Sequence, residues 1–329
     1  TALTSGARNT SIGYQSATNN ATGTDGTFLG YQSGLNVLLN YNTGIGAYTL
    51  QKLGTTGGSG AGENNTALGA LAMSGGDDTV TNNTAKNNVA VGYASLGGAT
   101  KSSDGSAFTT ADSVAIGYQA LTAVTTGSNN VALGSGAGDA ITTDSRVVAI
   151  GHGAYSSNDT TNAHDDSGAD ERGSGNIAIG YNSMTSFNDV NFLRNTAVGF
   201  DTMSQGGASN PSDNTALGYK ALRSINNNSA DRNTAIGSSS LTSLTSGNQN
   251  VAIGTSTLSN LTDTNNMVAI GHNAGLAVNH AGAEGGTFVG YEAGKAVTSG
   301  GHNTALGYQA LLTNSTSSFN TAIGSQALT

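Results

Sequence analysis

Cysteine and tryptophan are absent from this 329-residue chain, and proline occurs once. Without cysteine there can be no disulfide and no thiolate metal site, although this does not settle the compartment. Positive charge is scarce: eleven Lys plus Arg stand against twenty Asp plus Glu, for a net charge of −9. No basic stripe is available to neutralise a phosphate backbone, which disfavours a nucleic-acid partner. No apolar run approaches the roughly eighteen residues that a membrane-spanning helix needs. The first residues carry no signal-peptide pattern. Helix is disfavoured throughout, because apolar residues recur at a spacing of two and glycine and β-branched residues are dense.

Glycine is abundant, at 49 residues. Seventeen of these glycines anchor one short repeated phrase, roughly Asn-Thr/Val-Ala-Ile-Gly-Tyr-x-Ala-Leu. Most gaps between successive anchors are 16, 17 or 19 residues. A fixed period in this range is the mark of a solenoid, in which each repeat stacks on its neighbours.

Counting from the anchor, position −1 is aliphatic in all seventeen copies, as at Ile116, Ile236 and Ile253, which precede Gly117, Gly237 and Gly254. Position −2 is Ala in thirteen copies, position −3 is always β-branched, and position −4 is Asn in twelve. Tyr leads at +1, position +3 is always Ala, Ser or Thr, and Leu or Met is common at +4. The β-branched, Ala, aliphatic run suits a short strand. Side chains alternate faces along a strand, so positions −3 and −1 share one face and the Ala takes the other. The larger residues are expected inside each coil, with Ala on an outer face suited to close contact between chains. A second short strand is expected over +3 and +4. Asn at −4 suits a turn, since it bonds nearby backbone and tolerates left-handed geometry.

The expected fold class is therefore all-β: a parallel β-solenoid of about seventeen short coils, roughly 80 Å long at about 4.8 Å per coil. The chain reads as a single repeat array over residues 1–329, with longer loops at about 50–64, 74–87, 97–113 and 156–174. Each coil carries few large apolar groups to offset an ordering cost of about 1–2 kcal/mol per residue. Association of several chains would supply the missing burial. The chain opens with Thr1-Ala2-Leu3-Thr4 and closes with Gln326-Ala327-Leu328-Thr329, in the same phase and without distinct capping coils. This leads to the expectation of a segment of a longer array, and leaves open a single-chain solenoid that polymerises end to end.

The phrases Asn-Thr-Ala-Leu-Gly-Tyr-Lys-Ala-Leu at 214–222 and Ser-Val-Ala-Ile-Gly-Tyr-Gln-Ala-Leu at 113–121 resemble the YadA-like head repeats of trimeric autotransporter adhesins. They resemble equally the repeat shafts of phage tail-fibre-type proteins. The resemblance spans nearly the whole chain. It implies a homotrimeric, left-handed β-roll that is extracellular, on a cell surface or a virion, and serves as a non-enzymatic structural or adhesive fibre. The implied partners are the chain itself and a cell-surface glycan or protein receptor, with no cofactor. The period here is longer than is usual for adhesin heads, and no stalk or anchor follows within the chain. A second likeness is to left-handed β-helix acyltransferases, carried by Ile116-Gly117-Tyr118-Gln119-Ala120-Leu121. Only one hexapeptide per period fits that pattern, which weakens the enzyme reading.

Candidate sites are few. The longest gap holds Asp159, His164, Asp165, Asp166, Asp170, Glu171 and Arg172. Asp165, Asp166, Asp170 and Glu171 form a weak candidate for a calcium loop, since hard cations take several carboxylate oxygens. The canonical loop spacing is missing, and a solvated acidic loop is the plainer reading. Gly134-Ser135-Gly136-Ala137-Gly138 superficially suggests a phosphate loop, but it lies in repeat register and lacks the Lys-Ser/Thr pair. His152 and His272 stand where Tyr usually stands, without convergent metal partners in sequence. The Tyr column reads either as a glycan-contacting ladder or as shielding of the coil edge. No Ser/His/Asp group stands out, so no catalytic residue is assigned.

Overall fold

A computed structural model describes residues 5–38, 40–51, 53, 62–75, 83–97, 108–156, 175–187, 192–207, 211–226 and 230–329. The protein is an all-β parallel β-solenoid whose only described helical element is a short 3-10 turn, Ala281–Ala283. It divides into two compact units, Thr1–Gly173 and Ser174–Thr329. The boundary falls within the longest expected loop.

The first unit carries β1 (Thr10–Ile12), β2 (Thr27–Leu29), β3 (Thr43–Ile45), β4 (Thr66–Leu68), β5 (Val89–Val91), β6 (Val114–Ile116), β7 (Val131–Leu133) and β8 (Val148–Ile150). The second carries β9 (Ile177–Ile179), β10 (Thr196–Val198), β11 (Thr215–Leu217), β12 (Thr234–Ile236), β13 (Val251–Ile253), β14 (Val268–Ile270), β15 (Thr287–Val289), β16 (Thr304–Leu306) and β17 (Thr321–Ile323). Within each unit every strand pairs in parallel with the next, like position on like position, as in Thr234↔Val251, Ala235↔Ala252 and Ile236↔Ile253. The long gaps inside the first unit do not disturb this: Thr66 still pairs with Val89, and Val89 with Val114. Loop closure costs little more as a loop lengthens, so register is set by the strand and its glycine, with loop length free to vary. The expected loops near 50–64, 74–87, 97–113 and 156–174 lie largely outside the described residues.

The orientation of the strands reverses the expectation from sequence. The central Ala of each strand faces into the coil and is fully buried, as at Ala67, Ala115, Ala235 and Ala252. The β-branched and aliphatic residues on either side face outward, exposed or half-buried in every strand. Space decides this. Opposite the strand, the coil interior is filled by the Leu or Met of position +4, such as Leu121, Met184 and Leu241, all fully buried. A further column at +7 closes the far side, with Val124, Ile141, Leu244, Leu261, Val278 and Val297 buried. Only a small side chain fits between that wall and the strand. The two coils with Phe in the Ala position make the same point in reverse. Phe28 and Phe288 are fully buried, and each is accompanied by Gly at both −4 and +4. A Cβ added at Gly34 would lie 2.3 Å from the Phe28 ring, and one at Gly294 would lie 2.5 Å from the Phe288 ring. Volume is conserved within the coil while its distribution changes.

Among the described residues no second strand forms. The segment after the anchor runs through turns in which positions +2 and +4 are left-handed, as in Gln119 (φ 55) and Leu121 (φ 50). The anchor glycines are required twice over. Gly117 has φ 140, and a Cβ there would meet the Gly134 carbonyl oxygen at 2.3 Å; at Gly237 the values are φ 129 and 2.5 Å to Gly254. Any larger residue would collide with the next coil's backbone.

Asn at −4 does belong to a turn, but the left-handed residue is the one before it, for example Arg194 (φ 55) or Gln249 (φ 57). The Asn side chain instead points inward. Asn176, Asn195, Asn214, Asn233 and Asn250 form a buried ladder. The Asn233 Oδ1 accepts from the Asn250 backbone N–H at 3.0 Å and from its Nδ2 at 3.1 Å, while the Asn233 Nδ2 donates to the Gly247 carbonyl at 2.8 Å. Every rung thereby pairs groups that would otherwise be orphaned in the interior.

Candidate interaction surface

Because Ala takes the interior, each unit wears its larger apolar residues outside. Ile12, Leu29, Ile45, Leu68, Ile116 and Leu133 line the first unit's sheet face, with Ile116 at 37% exposure and Ile12 at 60%. Leu217, Ile270, Leu306 and Ile323 are exposed in the second, and Ile236 and Ile253 are half-buried there. Beside this column runs the Thr/Val column of position −3. Contiguous apolar surface of this kind is uncommon on a soluble monomer.

Two rims border the face. After the glycine comes an aromatic ladder. Tyr14 stacks on Tyr31 at 5.4 Å, Tyr93 on Tyr118 at 5.5 Å, and Tyr291 on Tyr308 at 5.3 Å between ring centroids. Phe200 lies between Tyr181 and Tyr219 at 5.0 and 5.7 Å. His272 takes a Tyr position and stacks on Tyr291 at 5.4 Å, so it serves the ladder as a ring. Within these stacks the ring faces are turned to one another, leaving edges and hydroxyls outward. At the other rim, position −5 carries charged pairs: Arg8 and Arg194 each grip an Asp of the next coil, Asp25 and Asp213, at 2.6 Å. The guanidinium hydrogen bond holds Asp213 below the usual carboxylate range, and Asp25 likewise. Such exposed pairs add little stability.

The remaining candidates have plain structural roles. The backbone amides of Gly134, Gly136 and Gly138 donate to the carbonyls of Ile116, Tyr118 and Ala154 at 2.8–2.9 Å. They are occupied by coil stacking and form no anion cradle. Asp165, Asp166, Asp170 and Glu171 lie outside the described residues. Among the described residues no group of three or more His, Cys, Asp or Glu converges to hold a metal, and no helix is long and apolar enough to cross a membrane. Glu292 is held by Lys295 at 2.5 Å and Gln309 at 2.9 Å, which keeps its carboxyl below the usual range. Asp139 is the exception, its carboxyl pushed up by burial.

Ile116, Gly117, Ile236, Gly237, Ile253 and Gly254 were legible as repeat positions. The outward aim of their aliphatic members was not. The +7 column escaped notice as well. Its only trace is the three-residue offset from +4, in loops whose length varies. No family model matches the chain, and no curated protein sequence is similar to it.

Proposed function

We propose that the chain is a non-enzymatic shaft: copies associate side by side through the outer aliphatic face into a homotrimeric extracellular fibre, of a virion or a cell surface. The observation that carries this reading is the exposed Ile/Leu column, present in coil after coil, with no other described residue of its own chain covering it. A face repeated this regularly suits assembly better than a single reaction centre. The composition supports it, with an apolar centre flanked by Tyr on one rim and Arg on the other, as interfaces are built.

The magnitudes are adequate. Burying the exposed half of an Ile or Leu contributes on the order of 1 kcal/mol. Ten such residues are exposed, six in one unit and four in the other. Their sum is comparable to the roughly 4–15 kcal/mol cost of association, before the Thr/Val column is added. Three copies, rather than two, is the stoichiometry that the resemblance implies. A glycan or protein receptor would be met by the loops or ring edges.

Sedimentation equilibrium at micromolar concentration tests the reading. A mass three times that of the 32.5 kDa chain is expected. A stable monomer would overturn it.

A further inference from the structure

The aromatic ladder has a chemical consequence that does not depend on how copies assemble. We propose that the stacked pairs Tyr14–Tyr31, Tyr93–Tyr118 and Tyr291–Tyr308 are sites of oxidative coupling, at which a haem peroxidase with hydrogen peroxide joins successive coils through dityrosine bonds.

Three features of each pair favour the reaction. The rings are nearly parallel, with interplanar angles of 13°, 12° and 9°. The backbones beneath them are pinned, since the amides of Gln32, Gln119 and Gln309 donate to the carbonyls of Tyr14, Tyr93 and Tyr291 at 2.9, 2.9 and 2.8 Å. All six rings are open to solvent, from 43% exposure at Tyr31 to 66% at Tyr14. Two reactants held this way react as one molecule, and the effective concentration far exceeds that of a second chain in solution.

The step balances simply. Each phenol gives up one electron and its proton to the oxidant. The two phenoxyl radicals join at ring carbons ortho to oxygen, forming one C–C bond. The two displaced ring hydrogens move to the oxygens and restore both phenols. The O–O bond of one peroxide breaks, and its two oxygens leave as water. The chain loses two hydrogens per pair. In a protein without cysteine, this is an oxidative route to a covalent tie between coils that a disulfide cannot supply.

The chain contains its own control. Tyr181 and Tyr219 are separated by Phe200, which has no phenol to oxidise. The experiment treats the full chain, at micromolar concentration, with a haem peroxidase and hydrogen peroxide. Dityrosine fluorescence and cross-linked peptides are then read by mass spectrometry. Three intrachain linkages are expected, one for each stacked pair, with Tyr31 coupling to Tyr14, whose ring lies parallel to it, in preference to Tyr48, whose ring meets it edge to face at 5.2 Å. Tyr31→Phe, Tyr118→Phe and Tyr308→Phe should each remove one, and Phe200→Tyr should add one at 181–200 or 200–219. Mixing isotopically labelled with unlabelled chains identifies links between chains. Links that are mostly of mixed label, or spread evenly over Tyr41, Tyr48 and Tyr219, would overturn the proposal, as would failure of Phe200→Tyr to add a link.

Discussion

The two faces of one strand obey opposite rules. Inside the coil, Ala235 and Ala252 sit against a fixed wall of Leu and Met and tolerate no added volume. Outside, Ile236 and Ile253 carry larger side chains into open space. Hydrophobicity alone would place the larger residues inside, yet the interior goes to the residue that fits. The strand's most apolar positions are thereby left on the outside of the coil.

The difference can be broken first from the inside. Ala235→Asp would put an unpaired carboxylate into a dry coil, at a cost on the order of 5 kcal/mol. The second unit should lose its β signal in circular dichroism, or melt far earlier. On the outer face expected for Ala this substitution would act on assembly; with Ala235 fully buried in the coil, it acts on folding.

Phe288→Ala comes next, at about 3–5 kcal/mol for the cavity it leaves. Adding Gly294→Leu should recover part of that loss, because it builds the Ala/Leu arrangement found in coils such as those of Ala115 and Ala235; Leu241 already takes the left-handed backbone at +4 (φ 48). Gly294→Leu alone should be damaging, since its Cβ would lie 2.5 Å from the ring. A double-mutant cycle in urea measures the coupling. Additive effects would contradict the volume-sharing account.

Asn233→Ala should cost about 2–4 kcal/mol, because it leaves the Asn250 backbone N–H and Nδ2 without their acceptor in the interior. Urea midpoints check it. A smaller effect follows from Asp139. Its pKa is raised by burial, so the folded state favours the protonated form. Stability from this group is fully present below the ordinary carboxylate range and is lost as pH rises through the raised value. Asp139→Asn should therefore raise the thermal midpoint at neutral pH and leave it nearly unchanged in acid.

Much of this was legible in the sequence. The glycine spine, the in-register parallel strands and the Asn column all repeat, and repetition exposes them. The inward face was not legible. Alternation divides a three-residue strand into two faces without saying which is inside, and the answer lies in Leu121 and Val124 across the coil. The turn at +3 and +4 reads as a strand in sequence because a small residue is followed by a large apolar one. Its left-handed residues, Gln119 and Leu121 among them, are of ordinary types that give no warning. The ring ladder was visible as a Tyr column, whereas the mutual stacking that occupies its faces depends on coil spacing.

The role of the outer face is tested by one paired measurement. Ile236→Asp with Ile253→Asp places two charges on the sheet face without touching the interior. Sedimentation and circular dichroism of this variant are compared with those of the unaltered chain. The unaltered chain is expected to assemble at micromolar concentration, while the variant keeps its β spectrum and sediments as a monomer or a far weaker oligomer. A variant that assembles as well as the unaltered chain, or one that loses its β spectrum, would contradict it.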